Sequence, residues 1–212
     1  MLQFYYSTNS CSTGIRVLLE ELGVPYEAVQ IDLRAKQQFT PEYRAVNPKG
    51  KVPALVREDG SLLTEFPAIA FWLAKSHPGA GLIGDGLEAE TRTLELLDFM
   101  VGSVHMRGFT FIAMPMKFSP SEAAQKDLVA YGVEQVGIGF ARLAEALEGR
   151  DWLVDTFGIA DCTLFYLTCW AVQGKIALPA ELAAHHNRML ERPAVQRALE
   201  GEGIAGLVTR AA

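Results

Sequence analysis

Long hydrophobic runs are missing from this 212-residue chain. No segment approaches the roughly 18 uninterrupted apolar residues that a membrane helix needs. The opening Met-Leu-Gln-Phe-Tyr-Tyr carries neither a basic leader nor a long apolar stretch, so no secretory signal is read there. Cysteine is scarce. The three residues Cys11, Cys162 and Cys169 are an odd number with no CxxC pair, which excludes a disulfide framework and a zinc-type thiolate site. Of the four histidines, His185 and His186 are adjacent, a poor spacing for one metal ion. Positive charge is in deficit, with 19 Lys and Arg against 25 Asp and Glu and a net charge of −6. Without a basic run, a nucleic-acid partner is disfavoured, because phosphate binding needs clustered cations. Repeats and low-complexity tracts are absent. The expectation is a globular protein of a reducing cytoplasm, with no metal, membrane or nucleic-acid partner.

What is present falls into two regimes. Leu2–Tyr6 is short and apolar, as a buried strand would be, and Ile15, Leu18, Leu19 and Leu22 then recur at the spacing of one helix face. Gly23 and Pro25 stop that helix, and Tyr26–Leu33 alternates into a second strand. Such a βαβ unit is expected to pair its strands in parallel. Val52–Arg57 and Ser61–Leu63 flank Asp59-Gly60, a hairpin signal, and Thr64 is positioned to cap a helix that starts near Glu65. The stretch 77–86 is rich in Gly and reads as a linker.

After it strand signals fade, and the rest reads as five or six helices. Leu87–Ala113 runs helical to Met114-Pro115, and Ser119-Pro120 is expected to restart a helix as cap and first residue. Val129, Val133, Val136, Phe140, Leu143 and Leu147 then form an apolar stripe. Gly132, Gly137 and Gly139 on the same helix cost propensity and are expected to let a neighbour approach closely.

Three local features in the first regime carry chemistry. Ser10-Cys11-Ser12 sits where the first strand passes into the first helix, and a thiol there should have a lowered pKa from the helix N-terminus. Gly14 stands where a CxxC partner would be, so any sulfur chemistry needs an outside thiol; the alternative is a buried structural cysteine. Val52-Pro53 opens a strand, where a cis proline would leave the preceding residue free to pair with an extended peptide, against the plain alternative of a trans proline at a strand edge. Glu65 at a helix start would accept backbone N–H groups and hold a ligand's ammonium, or would merely cap the helix.

Asn47-Pro48-Lys49-Gly50-Lys51-Val52-Pro53-Ala54-Leu55, followed by Leu63-Thr64-Glu65, resembles the glutathione-site signature of the cytosolic glutathione S-transferases. Trp152-Leu153 and Gly158-Ile159-Ala160-Asp161 are similar to that family's capping-box motif in its second domain. The resemblance implies an α/β plus all-α architecture: a thioredoxin-like βαβ-ββα domain over 1–77, a linker over 78–86, and an all-helical domain over 87–212. It also implies a glutathione-dependent transferase acting on small electrophilic or hydrophobic compounds, and a homodimer. Cys11-Ser12, Leu18 and Glu20 look most like the bacterial beta class, in which the cysteine faces the glutathione sulfur and can form a mixed disulfide. Carried over, Cys11 and His105 are the catalytic residues. Val52, beside Pro53, pairs with the cysteinyl backbone, Glu65 binds the γ-glutamyl amine, and the N–H of Phe66 serves its carboxylate. Lys36 meets the glycyl carboxylate, and Asp98 reaches a partner's ligand across the dimer.

Three departures stand out. Phe66 replaces the usual Ser or Gly, Met106 replaces a basic residue, and Gly158 replaces the capping Ser or Thr, which removes half of the capping box. Phe109, Phe111, Met114 and Met116 would either line an apolar pocket or belong to the core. Rival readings are a maleylacetoacetate-type isomerase or disulfide reductase, and a non-catalytic regulatory or scaffolding protein of the same fold.

Overall fold

The structure is a computed structural model that describes residues 1–211. Strand β1 (Leu2–Tyr6) leads through helix α1 (Ser12–Leu22) to β2 (Tyr26–Gln30), and β1 and β2 pair in parallel from Leu2–Tyr26 to Tyr6–Gln30. A 3-10 turn over Gln37–Phe39 and a short helix α2 (Pro41–Val46) fill the connection, which the sequence pattern did not resolve. Strands β3 (Ala54–Val56) and β4 (Leu62–Thr64) form the expected antiparallel hairpin around Gly60, whose φ of 80° suits the turn. The sheet order is β2-β1-β3-β4, with β1 and β3 antiparallel. Helix α3 (Phe66–Ser76) closes this half. The result is the βαβ-ββα arrangement expected above.

The second half is helical throughout. Helix α4 (Leu87–Asp98) continues through a π-helical stretch, Phe99–Phe109, into α5 (Thr110–Ala113), which ends at Met114-Pro115 as expected. Helix α6 spans Glu122–Leu147, α7 Ile159–Gln173, α8 Ala180–Leu190 and α9 Pro193–Gly201. The cap of α6 is Ser121, whose hydroxyl accepts the Ala124 N–H at 3.4 Å, so the expected start at Ser119-Pro120 lies two residues too early. Its apolar stripe is buried from Val136 through Phe140 and Leu143 to Leu147, but Val133 is exposed. Gly132 is buried there instead, because the π-helical stretch crosses α6 closely: a Cβ on Gly132 would lie 2.8 Å from the Gly108 carbonyl oxygen.

Helix α7 is the central core helix, buried almost without interruption from Ile159 to Cys169. Asp161 anchors its start. One carboxylate oxygen accepts the Gly158 N–H at 2.9 Å, and the other accepts the Leu153 N–H and the His185 Nε2–H, each at 3.0 Å. The Ser or Thr hydroxyl missing at 158 is not replaced, but a different donor of the first turn is satisfied from outside the helix. The Leu82 carbonyl, from the segment joining the two halves, accepts the Ile159 N–H at 2.9 Å, and any Cβ at position 158 would collide with that oxygen.

Helix α1 lies between the sheet and the helical half. Residues 12–19 are buried on every side, polar Thr13 and Arg16 included. A Cβ on Gly14 would meet the Cys162 carbonyl oxygen at 2.7 Å and the Phe66 ring at 2.9 Å. That close approach is why no CxxC-type cysteine fits there.

Candidate active site

The chain turns into α1 through Ser7–Cys11, and this turn is pinned from the helical half. Asn9, in the left-handed region at φ 57°, gives its N–H to Glu202 Oε2 at 2.9 Å. Its carbonyl accepts the Trp170 Nε1–H at 3.1 Å, and its side chain pairs with Gln173 at 2.7 Å. Glu202 also accepts the Thr13 hydroxyl at 3.0 Å. Ser10 Oγ accepts the Ser12 N–H at 3.1 Å, taking up one free donor at the helix start. Cys11 is thereby placed at the N-cap of α1, half-buried.

The Cys11 thiol donates to the Val52 carbonyl at 3.8 Å. Its pKa is pushed up to about 12, chiefly because burial disfavours the thiolate. The N–H groups of Cys11 and Ser12 pull the other way and are outweighed, while Glu202 and Glu65 add to the rise. The sequence-based expectation of a lowered pKa is therefore reversed. A helix start lowers a thiol pKa where the sulfur is well solvated, and at this partly buried position desolvation outweighs the helix start. At neutral pH Cys11 is a protonated hydrogen-bond donor.

Val52 is held by the signature segment before it. The Lys51 carbonyl accepts the Tyr43 hydroxyl at 2.6 Å and the Asn47 Nδ2–H at 2.7 Å. Asn47 itself is buried, and Gly50 turns the chain at φ 61°. The Val52–Pro53 peptide is cis. Val52 precedes the first residue of β3, and its N–H has no partner among the described residues.

Glu65 is the N-cap of α3, not Thr64, which belongs to β4. At φ 69° it makes no side-chain cap bond, contrary to the expectation that it accepts backbone N–H groups. Its carboxylate lies at the surface instead, where Lys49 Nζ donates to it at 2.7 Å and to Thr64 Oγ1 at 2.9 Å. The next residue, Phe66, is buried, and its ring meets Tyr166 edge-on at 5.3 Å between centroids.

His105 sits in the π-helical stretch with its ring edge-on to Tyr166 at 5.7 Å and Trp170 at 4.8 Å. Its Nδ1 is 3.3 Å from the Tyr166 hydroxyl. Burial pushes its pKa down to about 4, so the ring is neutral at physiological pH. Trp170 connects the two sides, because it packs on His105 and also bonds the Asn9 carbonyl beside Cys11.

The structure thus brings Cys11 to Val52, and links Phe66 to His105 through Tyr166. Lys36 is exposed and in the left-handed region, and Asp98 is exposed at the end of α4. Phe109 is core, packed on Phe140 and Trp170. Phe111 meets Phe118 edge-on and Tyr131 at a tilt, and Met114, Met116 and Met106 are exposed. Sequence reasoning missed Asn9, Lys49, Tyr166, Trp170 and Glu202. Only Asn9, in a Ser/Asn-rich turn before a helix, carried a readable signal. Among the described residues no three potential metal ligands cluster, and no helix is long and apolar enough to cross a membrane.

Comparison with known proteins gives the following. A family model described as glutathione S-transferase, N-terminal domain, matches residues 10–76. The glutathione S-transferase GstA of Escherichia coli O157:H7 is 35% identical over 211 residues, which covers 96% of this chain and 100% of that protein. A sphingomonad glutathione S-transferase solved in complex with glutathione superposes with a TM-score of 0.81 at 31% identity, over 96% of this chain and 100% of that one. A bacterial beta class enzyme from Sphingomonas chungbukensis gives a TM-score of 0.82 at 29% identity, over 95% and 99% of the two chains.

Proposed function

The chain belongs to the glutathione S-transferase family, and from that membership we propose that it binds glutathione beside Cys11 and conjugates it to small electrophilic compounds, in the manner of the beta class. Residues 1–77 carry the tripeptide and residues 87–212 supply the wall for the second substrate, across the linker 78–86. The protein works as a homodimer in the cytoplasm, in keeping with three unpaired cysteines.

One observation carries the reading. Among the described residues the Val52 N–H has no partner, and the Cys11 thiol stands 3.8 Å from the carbonyl of the same residue. An extended peptide paired at Val52 brings its own cysteine next to Cys11 and the α1 N-terminus. In this pose Glu65 takes the γ-glutamyl ammonium, the Phe66 N–H its carboxylate and Lys36 the glycyl carboxylate. Asp98 reaches the ligand of the other subunit.

The reactive group is the glutathione thiolate, since a thiol near pKa 8.5 is only a few per cent ionised at pH 7. Cys11 and His105 donate hydrogen bonds to that sulfur, and the glutathione proton leaves to water. The thiolate then attacks the electrophilic carbon, a C–S bond forms, and the leaving group departs with the displaced electron pair. The raised Cys11 pKa favours this route over disulfide exchange, for which Cys11 would itself have to ionise.

Calorimetry tests the site. Glu65→Ala is expected to weaken glutathione binding by about 1.5–3 kcal/mol, as for a lost hydrogen bond to a charged group. Unchanged affinity would remove Glu65 from the site. Failure of the wild-type protein to bind glutathione would overturn the proposal.

A further inference from the structure

Tyr166 belongs to none of the motifs that point to glutathione, yet among the described residues its hydroxyl is the one group that touches the ring of His105 through a hydrogen bond. The side chain is fully buried on α7, and Phe66 and Trp170 hold its ring at 5.3 and 4.9 Å. A buried hydroxyl has to donate its proton somewhere. Among the described residues the Tyr166 hydroxyl has one hydrogen-bond partner, His105 Nδ1 at 3.3 Å. Nδ1 is therefore the acceptor, and burial holds the phenol well above its ordinary pKa, so the proton stays on the oxygen.

A neutral imidazole has one N–H. With Nδ1 accepting, that N–H is on Nε2. Among the described residues Nε2 has no hydrogen-bond partner, and it is not wholly buried. The ring planes of Tyr166 and Trp170, at 72° and 79° to the imidazole, leave it little room to turn.

We propose that Tyr166 is a positioning residue: its hydroxyl locks His105 in the Nε2–H tautomer and presents that N–H, a donor only, to the sulfur of bound glutathione. The inference rests on His105 serving the glutathione site. It makes His105 an uncharged donor to the thiolate and denies it the role of base, because its only free nitrogen already carries a proton.

The ¹⁵N shifts of the His105 ring, assigned by their loss in His105→Gln, test the tautomer in the wild-type protein without any variant at 166. An unprotonated Nδ1 and a protonated Nε2 are expected, and a protonated Nδ1 overturns the proposal. Tyr166→Phe keeps the packed ring and removes only the hydroxyl. It is expected to give a mixture of tautomers and to lower kcat about tenfold, the scale for losing a partner that orients a histidine, while KM for glutathione stays within about twofold. His105→Gln keeps an amide donor near the Nε2 position, and in that background Tyr166→Phe should lose its effect on kcat. An equal loss in both backgrounds would reduce Tyr166 to a packing role and sink the inference. His105→Ala with unchanged kcat would instead remove His105 from the site, while the tautomer measured by NMR would stand.

Discussion

At the residue scale, burial decides the protonation of the two groups that face the proposed ligand sulfur. A helix N-terminus and two backbone N–H groups favour a Cys11 thiolate, yet the desolvated junction keeps the proton on sulfur. The same desolvation keeps the proton off His105. For His105 this sets an acid limit on stability. Above pH 6.5 the ring is neutral in both folded and unfolded chains, so its contribution is complete. As pH falls from 6.5 toward 4, the unfolded chain takes up a proton that the folded protein refuses, and stability is lost. A loss of order 1–3 kcal/mol between pH 7 and 5 is expected in denaturant titrations. His105→Gln should flatten the slope without abolishing it, because burial also lowers the His186 pKa. A variant with the wild-type slope would show that His105 is solvated.

At the scale of elements, glycines on one helix separate tight contact from wasted propensity. Gly132 on α6 faces the backbone of the π-helical stretch, so Gly132→Ala should cost about 1–3 kcal/mol through overpacking. Gly137, five residues on, is exposed with nothing within 4 Å of a Cβ, and Gly137→Ala should stabilise by about 0.5–1 kcal/mol. Thermal melts of the two variants should move in opposite directions, and a shared direction would contradict the packing. The sequence pattern marked both glycines alike, because periodicity locates a helix but not its neighbour. The same limit applies to α1, whose apolar face is legible while its polar face, with Thr13 and Arg16, is equally buried.

At the scale of the molecule, the helical half holds the turn that presents Cys11. Glu202, just past α9, takes the Asn9 N–H and the Thr13 hydroxyl, and the residue is only 7% exposed. Glu202→Ala strands both donors. It should cost about 2–4 kcal/mol in urea unfolding, since buried donors to a charged acceptor lose their partner, and should raise KM for glutathione by loosening the approach to Cys11. Wild-type stability and KM together would show that the clasp is dispensable.

The amino-acid sequence by itself determined the βαβ-ββα order of the first half apart from the short helix α2, the hairpin at Gly60 and the signature from Asn47 to Glu65, because turn chemistry and apolar periodicity are local properties. It also placed Cys11 at a helix start and the break at Pro115. Only the tertiary structure decided the protonation of Cys11 and His105, the pairing of Glu65 with Lys49, the bond from the Ile159 N–H to the Leu82 carbonyl, and the meeting of Tyr166 with His105. Each rests on contacts between residues apart in the chain, and the two protonation states depend on how much water the packed halves exclude, a quantity no local pattern contains.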